Sequence, residues 1–401
     1  MQLPTELIYT YANRRRDEMT ATQKNVKRKI QAIMTGEEEN RSLFLKALLL
    51  AISFGYGGLV KFRETLYKKG FLQSKRLPCP VFSIGNITIG GSGKTPMTIY
   101  IAEVLQGLGY NVAIISRGYK GQAERTGGVV CDGRIICMGP DEAGDEPFMI
   151  AERLKTVPVI VGKNRFKAGI LAIKEFRPDV LLLDDAFQHL NLNRDIDLVL
   201  LDSKKPFGNT YLFPRGILRE RASALLRGDA VILTRSDVGK QVSLSQIKNF
   251  VPRKPVFYSF HTPYIYKIIT GGRAQLSDRL NISSKYDFNI FKKKRVFAFS
   301  GIAINDNFRR TIESFKCKLE NFSGFPDHHP YSNRELDEIV KSAMDLSAEF
   351  IFTTEKDYVR IAHKTKWPID LVVIGIEISF GENDIAFKSF IKSRLRGLLT
   401  G

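Results

Sequence analysis

Val81-Phe-Ser-Ile-Gly-Asn-Ile-Thr-Ile-Gly-Gly-Ser-Gly-Lys-Thr95 decides the fold. An apolar, strand-like run breaks into a glycine-rich turn that closes on Gly93-Lys94-Thr95, and the helix-compatible Met97-Thr-Ile-Tyr-Ile-Ala-Glu-Val-Leu105 follows. Glycines at 90, 91 and 93 let successive backbone N–H groups converge on phosphate oxygens without a Cβ in the way. Thr88, Ile89, Gly90, Gly91, Ser92, Gly93, Lys94 and Thr95 therefore read as a cradle for a nucleoside triphosphate. Lys94 then reaches the β- and γ-phosphates, and the Thr95 hydroxyl ligates Mg²⁺ at the start of the helix. The usual spacing asks for glycine five residues before Gly93, and this chain has Thr88 there.

A second stretch answers the first. Arg177-Pro-Asp-Val-Leu-Leu-Leu-Asp184-Asp185 is a continuous apolar run, the pattern of a strand buried on both faces, and it delivers two carboxylates at its C-terminal end. A Walker B strand places an aspartate against the P-loop Mg²⁺ in this way, so Thr95, Asp184 and Asp185 are the expected metal ligands.

Outward from these motifs the strand and helix patterns alternate. Strands are expected near 80–86, 111–115, 157–161, 179–184, 196–201 and 229–234, with helices near 95–107, 147–155 and 164–175. This is the pattern of a P-loop NTPase-type α/β fold, a doubly wound parallel sheet with ligands at the C-terminal edge of its strands. After Asp237 the pattern is interrupted, and a second, smaller α/β domain follows with strands near 295–300, 350–353 and 370–376. The expected organisation is a basic N-terminal extension over 1–41, a membrane-associated helix and linker over 42–76, a nucleotide-binding domain over 77–245 and a C-terminal domain over 246–401.

The chain has 401 residues, 43% of them hydrophobic, which excludes both a disordered protein and a multi-spanning membrane protein. Cys79, Cys131, Cys137 and Cys317 form no C-x-x-C pair, so a reducing compartment is expected. The net charge of +19 implies an anionic partner, whether nucleic acid, anionic lipid or a phosphorylated substrate. Much of the excess lies ahead of the P-loop and frames an apolar stretch, Ser42 to Val60, with Arg41 before it and Lys61, Arg63, Lys68 and Lys69 after it. Its uncharged part, Ala47 to Val60, is shorter than the ~20 residues a bilayer-crossing helix needs. A monotopic or peripheral insertion among anionic headgroups is therefore expected over a full span.

Several motifs in order carry a family resemblance. They are Gly85-Asn86-x-Thr88-x-Gly90-Gly91-x-Gly93-Lys94-Thr95-Pro96, Ser116-Arg117-Gly118-Tyr119, Gly144-Asp145-Glu146-Pro147, Asp184-Asp185-Ala186-Phe187-Gln188-His189, Pro214-Arg215-Gly216-x-x-Arg219-Glu220, Phe325-Pro326-Asp327-His328-His329 and Thr354-Glu355-Lys356-Asp357. Together they resemble the tetraacyldisaccharide 4'-kinases, the lipid A 4'-kinases of Gram-negative bacteria, over roughly residues 42–395. Ala186 stands where glycine is expected after the paired aspartates.

The resemblance implies an enzyme of lipid A biosynthesis. It would move the γ-phosphate of ATP, with Mg²⁺, to the 4'-hydroxyl of a tetraacyldisaccharide 1-phosphate at the cytoplasmic face of the bacterial inner membrane, forming lipid IVA. It also implies catalytic roles for Lys94, Asp145 and His328. Asp145, at a helix start with proline in the first turn, is kept ionised by the helix dipole and accepts the hydroxyl proton; a histidine of the Asp327-His328-His329 loop supports it. Which histidine acts is left open. Arg117, Arg165 and Glu220 are candidates for substrate binding, the arginines because guanidinium forks suit phosphate oxygens. Two other readings stand beside this one. A membrane-associated GTPase or ATPase switch would use Thr234-Arg-Ser-Asp237 to read its base, but has no need of Asp145 and the histidine loop. A nucleic-acid-dependent ATPase would use the net charge but lacks any recognisable nucleic-acid motif, so no nucleic acid is expected as partner.

Overall fold

The computed structural model describes residues 29–36, 43–236, 247–270, 284–362 and 366–399. Most of the N-terminal extension, Asp237 and the boundary drawn near 245 lie outside the described residues. The chain divides into two compact units, one of residues 1–72, 87–89 and 205–225 and one of residues 73–86, 90–204 and 226–401.

The larger unit holds two sheets. In the first, β1 (Val81–Asn86), β2 (Val112–Ser116), β3 (Gly128–Asp132), β4 (Pro158–Val161), β5 (Val180–Asp184), β6 (Ile196–Asp202), β7 (Ala230–Thr234) and β8 (Val256–Tyr258) run in the order β3-β4-β2-β5-β1-β6-β7-β8. All neighbours pair parallel except β3 with β4. The central strands are buried along their whole length, which is why β5 and β7 read as unbroken apolar runs and not as alternating ones. Helix Lys94–Gly107 lays Met97, Ile101 and Leu105 against Phe82, Ile84, Leu182 and Leu198, all essentially without solvent exposure. Truncating any one of these to alanine costs about 2–5 kcal/mol.

The second sheet contains β9 (Phe260–Ile269), β10 (Arg295–Ser300), β11 (Lys318–Gly324), β12 (Phe350–Thr354) and β13 (Asp370–Ser379) in the order β11-β10-β12-β13-β9. Its first four strands pair parallel, and β9 runs antiparallel to β13 over ten residues of strand. The first sheet continues past residue 245 through β8, and the last helix, Asp384–Leu399, returns to it. There Phe387, Ile391 and Leu395 join the core that contains Phe82 and Leu198. Short polar-rich or edge segments, β3, β8, β9 and β11, are the strands that the hydrophobic pattern does not announce.

The smaller unit is built on the apolar helix, which extends beyond the expected 42–60 to Leu43–Lys68. Leu49, Ser53 and Gly57, spaced by four, form its buried stripe. Ser53 Oγ donates to Leu212 O at 2.8 Å, and the Tyr56 hydroxyl donates to Arg219 O at 2.9 Å. Any side chain at Gly57 would drive into Leu212, with a Cβ only 2.7 Å from Cδ1. On the remaining faces Phe44, Leu48, Ile52, Phe54, Leu59 and Phe62 are exposed. Among the described residues this is the one helix long and apolar enough to cross a membrane.

Candidate active site

The P-loop is braced from beneath. Asn86, at the end of β1 and fully buried, donates from Nδ2 to Ser92 Oγ at 2.8 Å, and Gln188 donates to the Asn86 carbonyl at 2.7 Å. Thus the Asp184-Asp185-Ala186-Phe187-Gln188 segment and the phosphate loop share one support. Gly93 is required twice over: its φ is +79°, and a Cβ there would sit 2.7 Å from His261 Nε2. Thr88 and Ile89 belong to the smaller unit, where Thr88 bridges Leu218 and the Ile89 amide donates to Ile217 O at 2.7 Å.

Lys94 and Thr95 open the helix, and Lys94 Nζ stands 3.8 Å from Asp185 Oδ2. Asp184 is buried, accepting from Thr98 Oγ1 at 3.1 Å and from Ser116 Oγ at 3.4 Å. Burial, then the charges of Glu146 and Asp185, push its carboxyl up to about 7. Asp185 follows with φ +49°, a left-handed conformation that turns its side chain away from the strand path. The paired carboxylates are only partly offset by Lys94, and the excess negative charge fits a divalent metal. Among the described residues no group of three or more His, Cys, Asp or Glu forms a closed metal cage. That too fits Mg²⁺, which is bound by one or two carboxylates plus phosphate oxygens and water.

The second half of the site has the opposite electrostatics. Gly144, with φ +87°, ends helix Pro140–Ala143 and starts helix Asp145–Arg153, and a Cβ on it would meet Tyr119 O at 2.9 Å. Asp145 is the first residue of the second helix, where a carboxylate could serve the free amides of the first turn. Instead Asp145 Oδ2 accepts from Arg360 Nη2 and lies 2.8 Å from His328 Nδ1. Burial pushes this carboxyl up, but the hydrogen bonds from His328 and Arg360 outweigh it and hold Asp145 well below the usual carboxylate range. Oδ1 of the same carboxylate has no partner among the described residues.

His328 sits at φ +61° in the loop after β11, its amide donating to Gly301 O at 3.2 Å, and Tyr119 meets its ring edge-on at 5.8 Å. His329 turns away: its Nε2 is 2.9 Å from Glu335 Oε1 and its ring stacks on Phe325 at 4.8 Å. Asp327, expected to orient an imidazole, stands 3.9 Å from His328 Nε2, too far for a hydrogen bond, and is occupied by Lys356 at 3.1 Å.

Sequence reading missed Arg360 and gave Lys356 no role. Both lie on helix Glu355–Ile361, capped by Thr354 Oγ1 accepting from the Asp357 amide at 3.1 Å. Their spacing of four puts two cations on one face, the one signal available beforehand. At the other end of the same helix pair, Arg153 Nη1 lies 3.2 Å from Glu355 Oε2. Arg165 is buried, bonded from Nη1 to Gly162 O at 2.8 Å, and burial lowers its guanidinium to about 10. Arg117 is more exposed and paired with Glu124 at 2.7 Å. Glu220 is buried within the smaller unit.

The family profile for tetraacyldisaccharide-1-P 4'-kinase matches residues 45–396. The tetraacyldisaccharide 4'-kinase of Desulfatibacillum aliphaticivorans is 40% identical over 93% of this chain and 99% of its own length. That of Syntrophus aciditrophicus is 40% identical over 86% of this chain and 91% of its own. The crystal structure of LpxK from Aquifex aeolicus in complex with ATP superposes with a TM-score of 0.67 at 31% identity, covering 88% of this chain and all of that one (100%). With a P-loop, a Walker B strand and the Asp145–His328 pair in one α/β unit, and with these relatives along nearly its whole length, the chain belongs to the tetraacyldisaccharide-1-P 4'-kinase family, the ATP-dependent lipid kinases of lipid A biosynthesis.

Proposed function

We propose that phosphoryl transfer to the 4'-hydroxyl in this chain divides between the two halves of the site. The P-loop amides and Lys94 hold the nucleotide phosphates, and Thr95, Asp184 and Asp185 hold Mg²⁺. Bound there, the metal neutralises charge developing on the β- and γ-phosphates. Asp145 takes the hydroxyl proton. The observation that carries this reading is the asymmetry of the Asp145 carboxylate: Oδ2 receives both Arg360 and His328, while Oδ1 has no partner among the described residues. Its depressed pKa makes Asp145 a weak base that is always ionised. That suits a loose transition state, in which the nucleophile's proton leaves late and orientation of the hydroxyl matters more than basicity. The Arg117–Tyr119 segment supplies cationic and aromatic surface for the phosphorylated sugar, Arg165, buried, adds positive charge from within, and Glu220 is a further candidate for substrate binding.

The same reading puts helix Leu43–Lys68 at an anionic membrane surface on the cytoplasmic side, where the acceptor's acyl chains reside. Seven large apolar side chains of this helix, Leu43 included, are exposed, and basic residues flank them. Nothing favours the rival nucleotide switch: family membership speaks for a small-molecule acceptor, and Asp237, its base-reading residue, lies outside the described residues.

The test is transfer of radiolabelled γ-phosphate from ATP to a disaccharide 1-phosphate lipid in detergent micelles, with Asp145→Ala run beside the parent. Transfer by the parent and its loss in the variant are expected. Nucleotide hydrolysis without labelled lipid would sink the reading. In parallel, Phe54→Asp with Leu59→Asp should release the protein from anionic vesicles in a flotation assay, and unchanged flotation would place the anchor elsewhere.

A further inference from the structure

Lys356 is the least exposed lysine in contact with the proposed base assembly, and its three contacts are specific. Nζ lies 3.2 Å from Glu146 Oε1, 3.1 Å from Asp327 Oδ1 and 3.1 Å from His328 Nε2. An ammonium has three hydrogens and no lone pair, so it can only donate. Three acceptors around it account for all three hydrogens, provided that Nε2 of His328 offers its lone pair. A neutral imidazole has one lone pair, so its hydrogen must then reside on Nδ1, facing Asp145 Oδ2 at 2.8 Å.

The opposite tautomer fails at the Lys356 and Asp145 contacts. A hydrogen on Nε2 would point at the ammonium, donor against donor, with Asp327 Oδ2 out of hydrogen-bond range at 3.9 Å. The Nδ1 lone pair would then face the Asp145 carboxylate, two acceptors at 2.8 Å. Arg360 Nη2, 3.0 Å from Nδ1 and also bonded to Asp145 Oδ2, could donate to a bare Nδ1, so the Nδ1 side of the ring alone admits either tautomer and the ammonium at Nε2 decides between them. With the hydrogen on Nδ1, Arg360 and the imidazole donate side by side to one carboxylate oxygen.

We infer that Lys356 is a positioning residue that fixes His328 in its Nδ1–H tautomer, so that the imidazole and Arg360 together claim Oδ2 of Asp145 and reserve Oδ1 for the acceptor hydroxyl. The inference rests on the proposed role of Asp145. The lysine acts through His328 and touches no reacting atom. Asp327 and Glu146, which share its charge, hold it in place, and with Asp145, Arg360 and the Tyr119 ring they are the polar, charged and aromatic groups facing His328.

The experiment is ¹⁵N,¹³C-histidine NMR on the full-length protein in detergent near neutral pH. The chain has 5 histidines, so the His328 signals are assigned by their loss in His328→Gln. The parent should show Nδ1 protonated and Nε2 bare, the reverse of the tautomer that free imidazole side chains favour in water. Lys356→Met should move the hydrogen to Nε2 and lower kcat by ~10²-fold with the KM for ATP little changed, as mis-set tautomers do elsewhere. Lys356→Arg, which still donates, should keep the Nδ1–H signature and recover much of kcat. An Nε2–H His328 in the parent overturns the inference outright and needs no variant, so a poorly folding Lys356→Met does not blunt the test. Loss of kcat in Lys356→Met with the tautomer unchanged also overturns it, leaving Lys356 a structural ion pair. If transfer to lipid is absent from the parent, the function proposed above fails, whereas the tautomer spectrum still judges the lysine.

Discussion

Asp184 and Asp145 are both carboxylates in protected surroundings, yet the fold treats them in opposite ways. Asp184, at the end of β5, is buried among hydroxyl donors and further negative charge that Lys94 only partly offsets, and its carboxyl is raised to about 7. Asp145, at the head of helix Asp145–Arg153, is gripped by Arg360 and His328 and is lowered far below the ordinary range. One site is short of a cation and the other is already supplied. On the proposed reading, charge deficit marks where a metal and phosphates would bind, and charge sufficiency marks the group that stays ionised and in register while they do. Glu146 ties the two together, raising Asp184 on one side and holding Lys356 on the other.

The contrast breaks most visibly at the cation of the phosphate side. Lys94→Ala should lower turnover by ~10³-fold or more with the fold intact, since it removes the cation at the head of the P-loop helix, 3.8 Å from Asp185 Oδ2. Near-parental turnover would remove the P-loop assignment. Next comes the base: Asp145→Asn and His328→Ala should each lower kcat by ~10²-fold or more with ATP affinity nearly unchanged. The double variant should lose much less than the product of the two single losses, because the pair acts as a unit. Independent, multiplicative losses would separate His328 from the base.

Stability gives the sharper version. Asp184→Asn removes a carboxylate that its surroundings disfavour, so the metal-free protein should melt higher while turnover collapses. Asp145→Asn should melt lower, by about 1–3 kcal/mol, because it strips Arg360 of a charged partner. Melting temperatures that shift in the same direction would erase the distinction between the two sites.

The smallest effect concerns Glu355, buried beside Arg153. Burial raises its carboxyl to about 7 against partial relief from Arg153. A raised carboxylate binds its proton more tightly folded than unfolded. The stability it contributes is therefore present below its unfolded pKa and is lost as pH rises through about 7. Glu355→Gln should remove part of the fall in stability between pH 5 and 8, on the order of 2 kcal/mol, in a thermal-melt series. A fall identical to the parent's would show that Glu355 is held ionised by Arg153.

These comparisons also explain what the sequence could reveal. The phosphate side was legible because its chemistry is contiguous: strand, glycine turn, lysine and threonine within fifteen residues, and a strand ending in two aspartates. β5 and β7 were legible because burial on both faces leaves only apolar residues. β11, an edge strand reading Lys318-Leu-Glu-Asn-Phe-Ser-Gly324 with mostly half-exposed positions, offers no such signal, and three-residue β8 is too short to have a period. The base side was legible only through family resemblance. Asp145, His328 and Arg360 are far apart in the chain and meet because two helices from different sheets lie together, a fact of tertiary packing that no local pattern encodes. For the same reason sequence alone did not divide the labour between His328 and His329: the choice depends on Glu335 and Phe325 capturing the second ring.

Helix Asp145–Arg153 is rooted in the core of the first sheet through Ile150 and Ala151, and helix Glu355–Ile361 in that of the second through Tyr358 and Ile361. They are fastened at both ends, by Asp145 with Arg360 and by Arg153 with Glu355. Loosening one sheet from the other would therefore undo the contacts of the proposed base. On heating, loss of catalysis should coincide with the earliest rise in amide hydrogen exchange along these two helices, ahead of exchange in β1 and β5, so that activity itself reports the first cooperative opening of the molecule.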